Sequence, residues 1–339
     1  MISRLMSVAA LAAAVAGGLG AQASGFVPAD PLEQVKSMVR GVNIIGYDPL
    51  WRDFEKARFK ERHFQRIREA GFQTVRLNLQ AFRHMDTDNR LPAAWFKTLD
   101  WAVKNSLANG LVAILDEHDF TVCGNNASAC KPRLMAFWQQ VAEHYKDAPN
   151  PILFEILNEP NNQVTPEVWN AWLKEALAII RKTNPTRNVV IGPASWNNIH
   201  FLDRLELPGD DRHIIATVHY YLPMSFTHQG AKWSRETAAL SGIKWGTDAE
   251  KRVVEEDFAG VQQWSKAQKR PMLLGEFGAY DGGGADIDSR VRYTSHLART
   301  AESLGWAWTY WQFDSDFVVY DIAKDDWVEP IWRALVPKE

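Results

Sequence analysis

Two glutamates stand where a strand would hand a carboxyl to an open end of the molecule. Glu159 lies in Ile156-Leu157-Asn158-Glu159-Pro160, and Glu276 lies in Leu274-Gly275-Glu276-Phe277-Gly278. Two carboxyl groups that converge to about 5–5.5 Å suit the double displacement of retaining glycoside hydrolysis. One must hold a proton to release the leaving group, and the other must be ionised to attack the sugar. Their surroundings must therefore push the two pKa values apart. The other acidic cluster, Asp116-Glu117-His118-Asp119, has one histidine among acids and no recognised metal-ligand spacing. No metal and no cofactor is expected.

Positioning two carboxyls so far apart along the chain is the task of the intervening elements. Short apolar runs recur at Gly41–Ile45, Thr74–Leu79, Leu111–Asp116, Ile152–Leu157, Val189–Ile191, Ile214–His219, Met272–Glu276 and Ala307–Gln312. Near-continuous apolar character is expected of parallel strands buried on both faces. Amphipathic segments fall between them, near Lys60–Ala70, Pro92–Ala108, Lys131–Tyr145, Pro166–Lys182, Ile199–Leu205, Asp248–Ala267 and Asp288–Leu304, with a last one near Glu329–Leu335. The alternation predicts an α/β fold, a single (β/α)8 TIM barrel. A doubly wound open sheet is disfavoured because no glycine-rich phosphate fingerprint follows the first strand. Such barrels carry their active sites where the strands end. Here the strand ends are polar: Arg76 and Asn78, then Asp116 to Asp119, Asn158-Glu159, His219-Tyr220-Tyr221, Glu276 and Trp311-Gln312.

Composition narrows the partners. The 339 residues are 46% apolar and 23% charged, with net charge −3 and 15 tryptophans. A basic excess is lacking, so no nucleic-acid partner is expected. Arg4 precedes an apolar run to Leu19 and the small-residue pattern Ala21-Gln22-Ala23. The run is shorter than the roughly 20 residues of a bilayer span. It predicts a signal peptide over 1–23, cleaved after Ala23, followed by a catalytic barrel domain over 24–339. The product would be secreted or periplasmic, with no membrane association after cleavage and nothing pointing to an oligomer. In an oxidising compartment, Cys123 and Cys130 are expected to pair, the alternative being two buried thiols.

In combination, Val-Arg-Leu-Asn, Leu-Asn-Glu-Pro, His-Tyr-Tyr, Gly-Glu-Phe-Gly and Tyr-Trp-Gln, in this order, resemble glycoside hydrolase family five, the cellulase family of the four/seven barrel superfamily. The similarity runs from Gly41 to Trp311. It implies that Glu159 is the acid/base and Glu276 the nucleophile. It also implies that Arg76 keeps Glu276 ionised, Asn158 holds the sugar 2-hydroxyl, and His219 bonds near Glu159. Tyr221 would reach the nucleophile, while Tyr220 points away by strand alternation. His118 and Trp311 would bind the sugar in the −1 subsite. The chain departs from the resemblance at His118, where Asp116-Glu117-His118-Asp119 is more acidic than the His-His pair often found there.

The implied partner is a polysaccharide, since indole faces stack well on apolar sugar faces. Trp51, Trp196, Trp233 and Trp327 fall in loops predicted to lie on the active face, and at least two are expected to line the cleft. His228, in the Phe226–Trp233 segment, is expected to order its loop. The activity expected is endo-β-1,4-glucanase on cellulose or soluble β-glucan. β-Mannanase is the nearest enzymatic alternative, and a non-catalytic carbohydrate-binding barrel is the alternative from another class.

Overall fold

The computed structural model describes residues 25–338, so the predicted signal segment over 1–23 lies outside the described residues. Eight parallel strands close into a barrel in sequence order: β1 (Arg40–Ile44), β2 (Thr74–Leu79), β3 (Val112–Glu117), β4 (Ile152–Glu155), β5 (Val189–Ile191), β6 (Ile214–Tyr220), β7 (Met272–Phe277) and β8 (Ala307–Tyr310). The ring shuts where β1 pairs with β8. Helices wrap it at Glu61–Glu69, Ala93–Ala108, Ala127–His144, Pro166–Arg181, Asp248–Gln268 and Ile287–Ser303, with a last one at Glu329–Leu335. Among the described residues, no helix is long and apolar enough to cross a membrane. The predicted TIM barrel is the fold.

Side chains alternate across each strand, which produces two separate cores. Outward residues such as Val75, Leu77, Leu115, Phe154 and Ile156 meet the helices in one large apolar layer. Inward residues Val112, Ile114, Leu153, Val190, Ile215, Leu273 and Ala307 fill the lower barrel together with Val35 and Met38. Those last two belong to a helix, Pro31–Met38, that plugs the mouth from which the strands start. The sequence reading had no element there. The signal was local: Pro31 opens the first turn, and the Asp30 carboxylate accepts the N–H groups of Leu32 and Glu33 at 2.9 and 3.3 Å. Burying each of its apolar anchors contributes about 1.5–3 kcal/mol.

Above that apolar plug the inward positions turn polar: Asn43, Arg76, Asn78, Asp116 and Glu155, all fully or nearly fully buried. The layer follows from strand alternation: Asp116 and Glu155 stand two residues after inward Ile114 and Leu153, and Arg76 and Asn78 two and four after the buried Thr74. Other differences from the sequence reading are at element ends. β4 leaves the ladder after Glu155, so Asn158 and Glu159 stand on a loop beyond the strand. The helix expected from Lys131 begins at Ala127 despite Pro132. The Asn126 side chain caps it by accepting from Ala129 N–H at 3.1 Å, and a disulfide joins Cys123 to Cys130 in its first turn. Residues Tyr320–Asp321 and Asp326–Trp327 form a small antiparallel hairpin not anticipated from sequence.

One irregularity decides where the second glutamate points. Along β6 and β7, Val218 faces Leu274 but His219 faces Glu276, so Gly275 is an extra residue without a partner. Leu273 points into the barrel. Strict alternation would send Glu276 out toward the helices. The bulge turns it back over the barrel mouth. Gly275 must be bare for this: a Cβ there would stand 2.6 Å from the Thr217 hydroxyl and 2.9 Å from His219 Nε2. Gly275→Ala is therefore expected to displace the His219 ring, lowering kcat by roughly 10²-fold, as sub-ångström to 1 Å misplacements do. The thermal midpoint should fall by only a few degrees. Parallel melting curves and kinetics would check this, and full activity would show that the bulge has slack.

Candidate active site

Arg76 is the organising charge. It rises from β2 into the polar layer with no exposed surface. A guanidinium has five N–H donors, and each has an acceptor. Nε and Nη2 donate to the two oxygens of Glu155 at 2.7 and 2.8 Å. Nη2 also donates to Asn158 Oδ1, and Nη1 to Asn43 Oδ1 and Glu276 Oε1, each at 2.8 Å. Asp116 adds a carboxylate oxygen 3.1 Å from Nη2. The Asn158 carbonyl is thus committed below, which leaves its NH2 facing the cleft, 3.5 Å from His118 Nε2. His118 is fixed by donating Nδ1–H to Asp116 at 2.6 Å. Its ring lies parallel to Trp311, with centroids 5.4 Å apart and planes 6° from parallel.

Glu159 and Glu276 converge on His219. Nδ1 of His219 is 2.8 Å from Glu159 Oε1 and 3.6 Å from Glu276 Oε2. One oxygen from each glutamate and the imidazole nitrogen all lie within 4.8 Å of one another. The other ring nitrogen accepts from Asn197 Nδ2 at 3.2 Å, which leaves the single proton of a neutral ring on Nδ1. Tyr221, two residues on and facing the same way, donates its hydroxyl to Glu276 Oε2 at 2.9 Å. A carboxylate–histidine triad of this compactness could hold a metal ion in principle. Here both Glu276 oxygens already accept from Arg76 and Tyr221, so a cation would sit against a buried guanidinium. The donor set does not fit a metal.

Strained backbone holds these groups. Glu159 has φ 42°, and Ser195, Trp196 and Asn197 have φ 60°, 62° and 53°. The left-handed region costs non-glycine residues roughly 1–2 kcal/mol each. Glu159 is kept there by the bond from Asn161 Nδ2 to its carbonyl at 2.7 Å. The neighbouring Pro160 carbonyl accepts Trp196 N–H at 3.2 Å.

The surroundings separate the two carboxyls. Burial pushes Glu159 well above the usual carboxyl range, and the nearby charge of Glu276 pushes it further. Glu276 is also raised by burial, but Arg76 opposes the shift most strongly, helped by His118 and the Tyr221 hydrogen bond. Both are raised, Glu159 further, so of the two Glu276 gives up its proton first. Burial, reinforced by Arg76, drives His219 well below the usual histidine range, so it is neutral.

The structure brings together Arg76, His118, Asn158, Glu159, His219, Tyr221, Glu276 and Trp311, all expected from sequence. Tyr220 points away, donating its hydroxyl to Asp257 at 2.6 Å. Trp196 and Trp233 are exposed by 47% and 56%, enough to present an indole face; Trp233 meets Tyr280 edge-on. Trp51 is a correction. It is buried, donates Nε1–H to the Ile45 carbonyl at 2.8 Å, and stacks on Trp95. Its loop folds inward onto the Ala93–Ala108 helix and the indole serves as core. Trp327 is likewise half-buried, stacked between Phe72 and Trp332 on the outer wall. His228 packs on Tyr221 and Phe317, behind Glu276. Sequence reasoning missed Glu155, Asn43, Asn197 and Tyr47, whose ring meets Trp311 edge-on at 6.2 Å.

A TIM barrel whose strand ends gather two carboxyls of opposed proton affinity around a neutral histidine defines a glycosidase. The chain matches the family Cellulase (glycosyl hydrolase family 5) over residues 35–316, and it belongs to that family. It is 32% identical to Endoglucanase H of Acetivibrio thermocellus over 307 residues, covering 86% of this chain and 32% of that protein. Endoglucanase 3 of Fibrobacter succinogenes is 25% identical, covering 87% of this chain and 52% of that one. The chain thus spans a third to a half of the length of these relatives. Among solved structures, Thermotoga maritima Cel5A with cellobiose superposes with TM-score 0.85 at 37% identity, covering 91% of this chain and 100% of that one. The same enzyme with mannotriose gives TM-score 0.86 at 36% identity, with the same coverage.

Removing the Tyr221 hydroxyl takes a hydrogen bond from the ionised form of Glu276, which raises its pKa. In Tyr221→Phe the acidic limb of kcat/KM should therefore move to higher pH, with the alkaline limb nearly fixed. A full pH profile on a soluble substrate measures it, and an acidic limb that moves the other way contradicts the assigned contact.

Proposed function

We propose that this chain is an exported, retaining endo-β-1,4-glucanase acting on cellulose or soluble β-glucan. The single observation that carries the mechanism is the carboxylate spacing: oxygens of Glu159 and Glu276 within 4.8 Å. Inverting enzymes leave about 6.5–9.5 Å between the carboxyls to admit a water, whereas retaining enzymes close to about 5–5.5 Å. In the first step the Glu276 carboxylate attacks the anomeric carbon and displaces the glycosidic oxygen, which takes the proton of Glu159. The product is a glycosyl ester on Glu276. Forming that ester removes the negative charge that had raised Glu159. Glu159, already a carboxylate after giving up its proton, is kept ionised by its lowered proton affinity, which suits it to take a proton from water in the second step. Water then attacks the anomeric carbon, breaking the ester and releasing Glu276 as a carboxylate while Glu159 regains its proton, and two inversions restore the starting configuration.

The names of the relatives support a β-1,4-glucan substrate, and the exposed Trp196 and Trp233 support a polymeric one. A second reading, β-mannan, is favoured by the mannotriose bound to a structure 36% identical to this chain. Export rests on the sequence over 1–23 and accords with the Cys123–Cys130 disulfide.

Anomer-resolved NMR of the first product should show the β form, and an α product would overturn the retaining mechanism. Activity on carboxymethyl-cellulose, barley glucan, xyloglucan and mannan orders the substrates. Glu276→Gln should abolish turnover while leaving stability almost unchanged, since the change is nearly isosteric. Glu159→Ala should cripple substrates with poor leaving groups most, and azide should rescue the breakdown of intermediates formed from activated aryl glycosides. Equal loss on both substrate types without rescue would contradict the acid/base assignment.

A further inference from the structure

Glu155 is a buried carboxyl to which the two-step reaction assigns nothing. It sits on β4 four residues before Glu159, faces the barrel axis after inward Leu153, and is 1% exposed. It lies too deep to reach a sugar over the barrel mouth. What it touches is Arg76: its two oxygens take Nε–H at 2.7 Å and an Nη2–H at 2.8 Å, a bidentate grip. That grip orients the plane of the guanidinium, and the plane decides where the opposite nitrogen, Nη1, meets Glu276 Oε1 at 2.8 Å. Arg76 is thus held between β4 and β7, with Asp116 of β3 against Nη2.

Charge adds a second constraint. The groups facing this cluster are Arg76 from β2, Asp116 and His118 from β3, His219 from β6, Glu276 from β7, and Glu159 beyond β4. His219 is neutral. One guanidinium touches Asp116, Glu155 and Glu276, and its attraction for each depends on the ionisation of the others. Burial raises Glu155 to about 7, opposed by Arg76 and reinforced by Asp116 and Glu276. The charge of Glu155 in turn raises Glu159.

We propose that Glu155 is a positioning residue for the hydrolytic reaction: it seats Arg76 from below and draws on the same positive charge as Glu276, and so sets both the aim of the guanidinium and the pH range in which the two reacting glutamates hold their working states. The proposal rests on the assignment of Glu276 as nucleophile and Glu159 as acid. Its two components separate by substitution. Glu155→Gln keeps the shape, removes the charge, and turns an NH2 toward an Arg76 N–H, which breaks the bidentate pair. Glu155→Asp keeps the charge and shortens the reach.

The experiment is a pH profile of kcat and kcat/KM for the wild type, both variants and Glu276→Gln, with circular-dichroism melts for each. Glu155→Gln is expected to lower kcat by roughly 10²-fold with KM within about threefold. The alkaline limb of its profile should shift to lower pH by roughly half a unit or more, because above about pH 7, where Glu155 is ionised, losing its negative charge stabilises the ionised form of Glu159. Glu155→Asp should lower kcat while its limbs stay near those of the wild type. A Glu155→Gln profile superimposable on the wild type, with kcat lost only in proportion to unfolded protein, overturns the proposal. So does an undiminished kcat in Glu155→Asp, which also decides the matter if the glutamine variant fails to fold. Residual turnover in Glu276→Gln would instead bring down the nucleophile assignment, so the two failures are told apart.

Discussion

A guanidinium with no access to water must find an acceptor for every N–H and a counter-charge for itself, and around Arg76 that requirement draws on three strands and a loop. β1 supplies Asn43, β4 supplies Glu155, the loop beyond β4 supplies Asn158, and β7 supplies Glu276. Leaving a buried charge without its partner costs about 3–5 kcal/mol. A displacement of any of these strands is therefore felt at Glu276. The fold has a second fully buried arginine that makes the contrast plain. Arg187 donates to the carbonyls of Tyr145, Ala148 and Ile152 and to Asn184 Oδ1, with no carboxylate partner. Burial pushes it down to about 10. Arg76, under the same burial, is raised well above the ordinary arginine range by Asp116 and Glu155. The first pins a loop; the second holds charge that another residue uses.

The division of the barrel into an apolar lower layer and a polar upper layer makes this arrangement affordable in stability. Helix Pro31–Met38 and the inward Val, Ile and Leu residues exclude water from below. In that dry setting a charge pair about 4 Å apart is worth about 4 kcal/mol at an effective dielectric near 20, several times its value in bulk water. The same dryness raises Glu159, which has no cation in contact. Opposite protonation of two neighbouring glutamates thus has one physical source, burial, and one asymmetry, contact with Arg76 on Glu276 alone.

Much of this was legible in the sequence because the barrel imposes a simple rule: strands are apolar and their ends are polar. Arg76, Asn158, Glu159, His219, Tyr221 and Glu276 all sit at such ends, and the ordered motifs select them. Glu155 was not legible because it lies within an apolar run and its partner is 79 residues away. Asn197 was hidden by a turn whose left-handed backbone no local pattern announces. Gly275 could be seen, but its bulge follows from a register slip with β6 that only pairing reveals. Trp51 was misplaced because a loop after a strand can fold over the mouth or back onto the wall. Its indole N–H found a carbonyl on the wall, and a tryptophan's burial outweighs any preference for a ligand not yet bound.

The turn at Ser195–Trp196–Asn197 shows how closely chemistry and recognition are joined. Three successive left-handed residues would be costly in isolation, and they persist because both ends are tied. Trp196 N–H holds the Pro160 carbonyl next to Glu159, while Asn197 holds Nε2 of His219. Between those ties the Trp196 indole is exposed by 47%. That turn fixes both the backbone beside Glu159 and the tautomer of His219. Glu159 is placed by its own strained loop and by this second one. That redundancy is what over-determines a left-handed glutamate, and it ties Glu159 to the same segment that exposes the Trp196 indole.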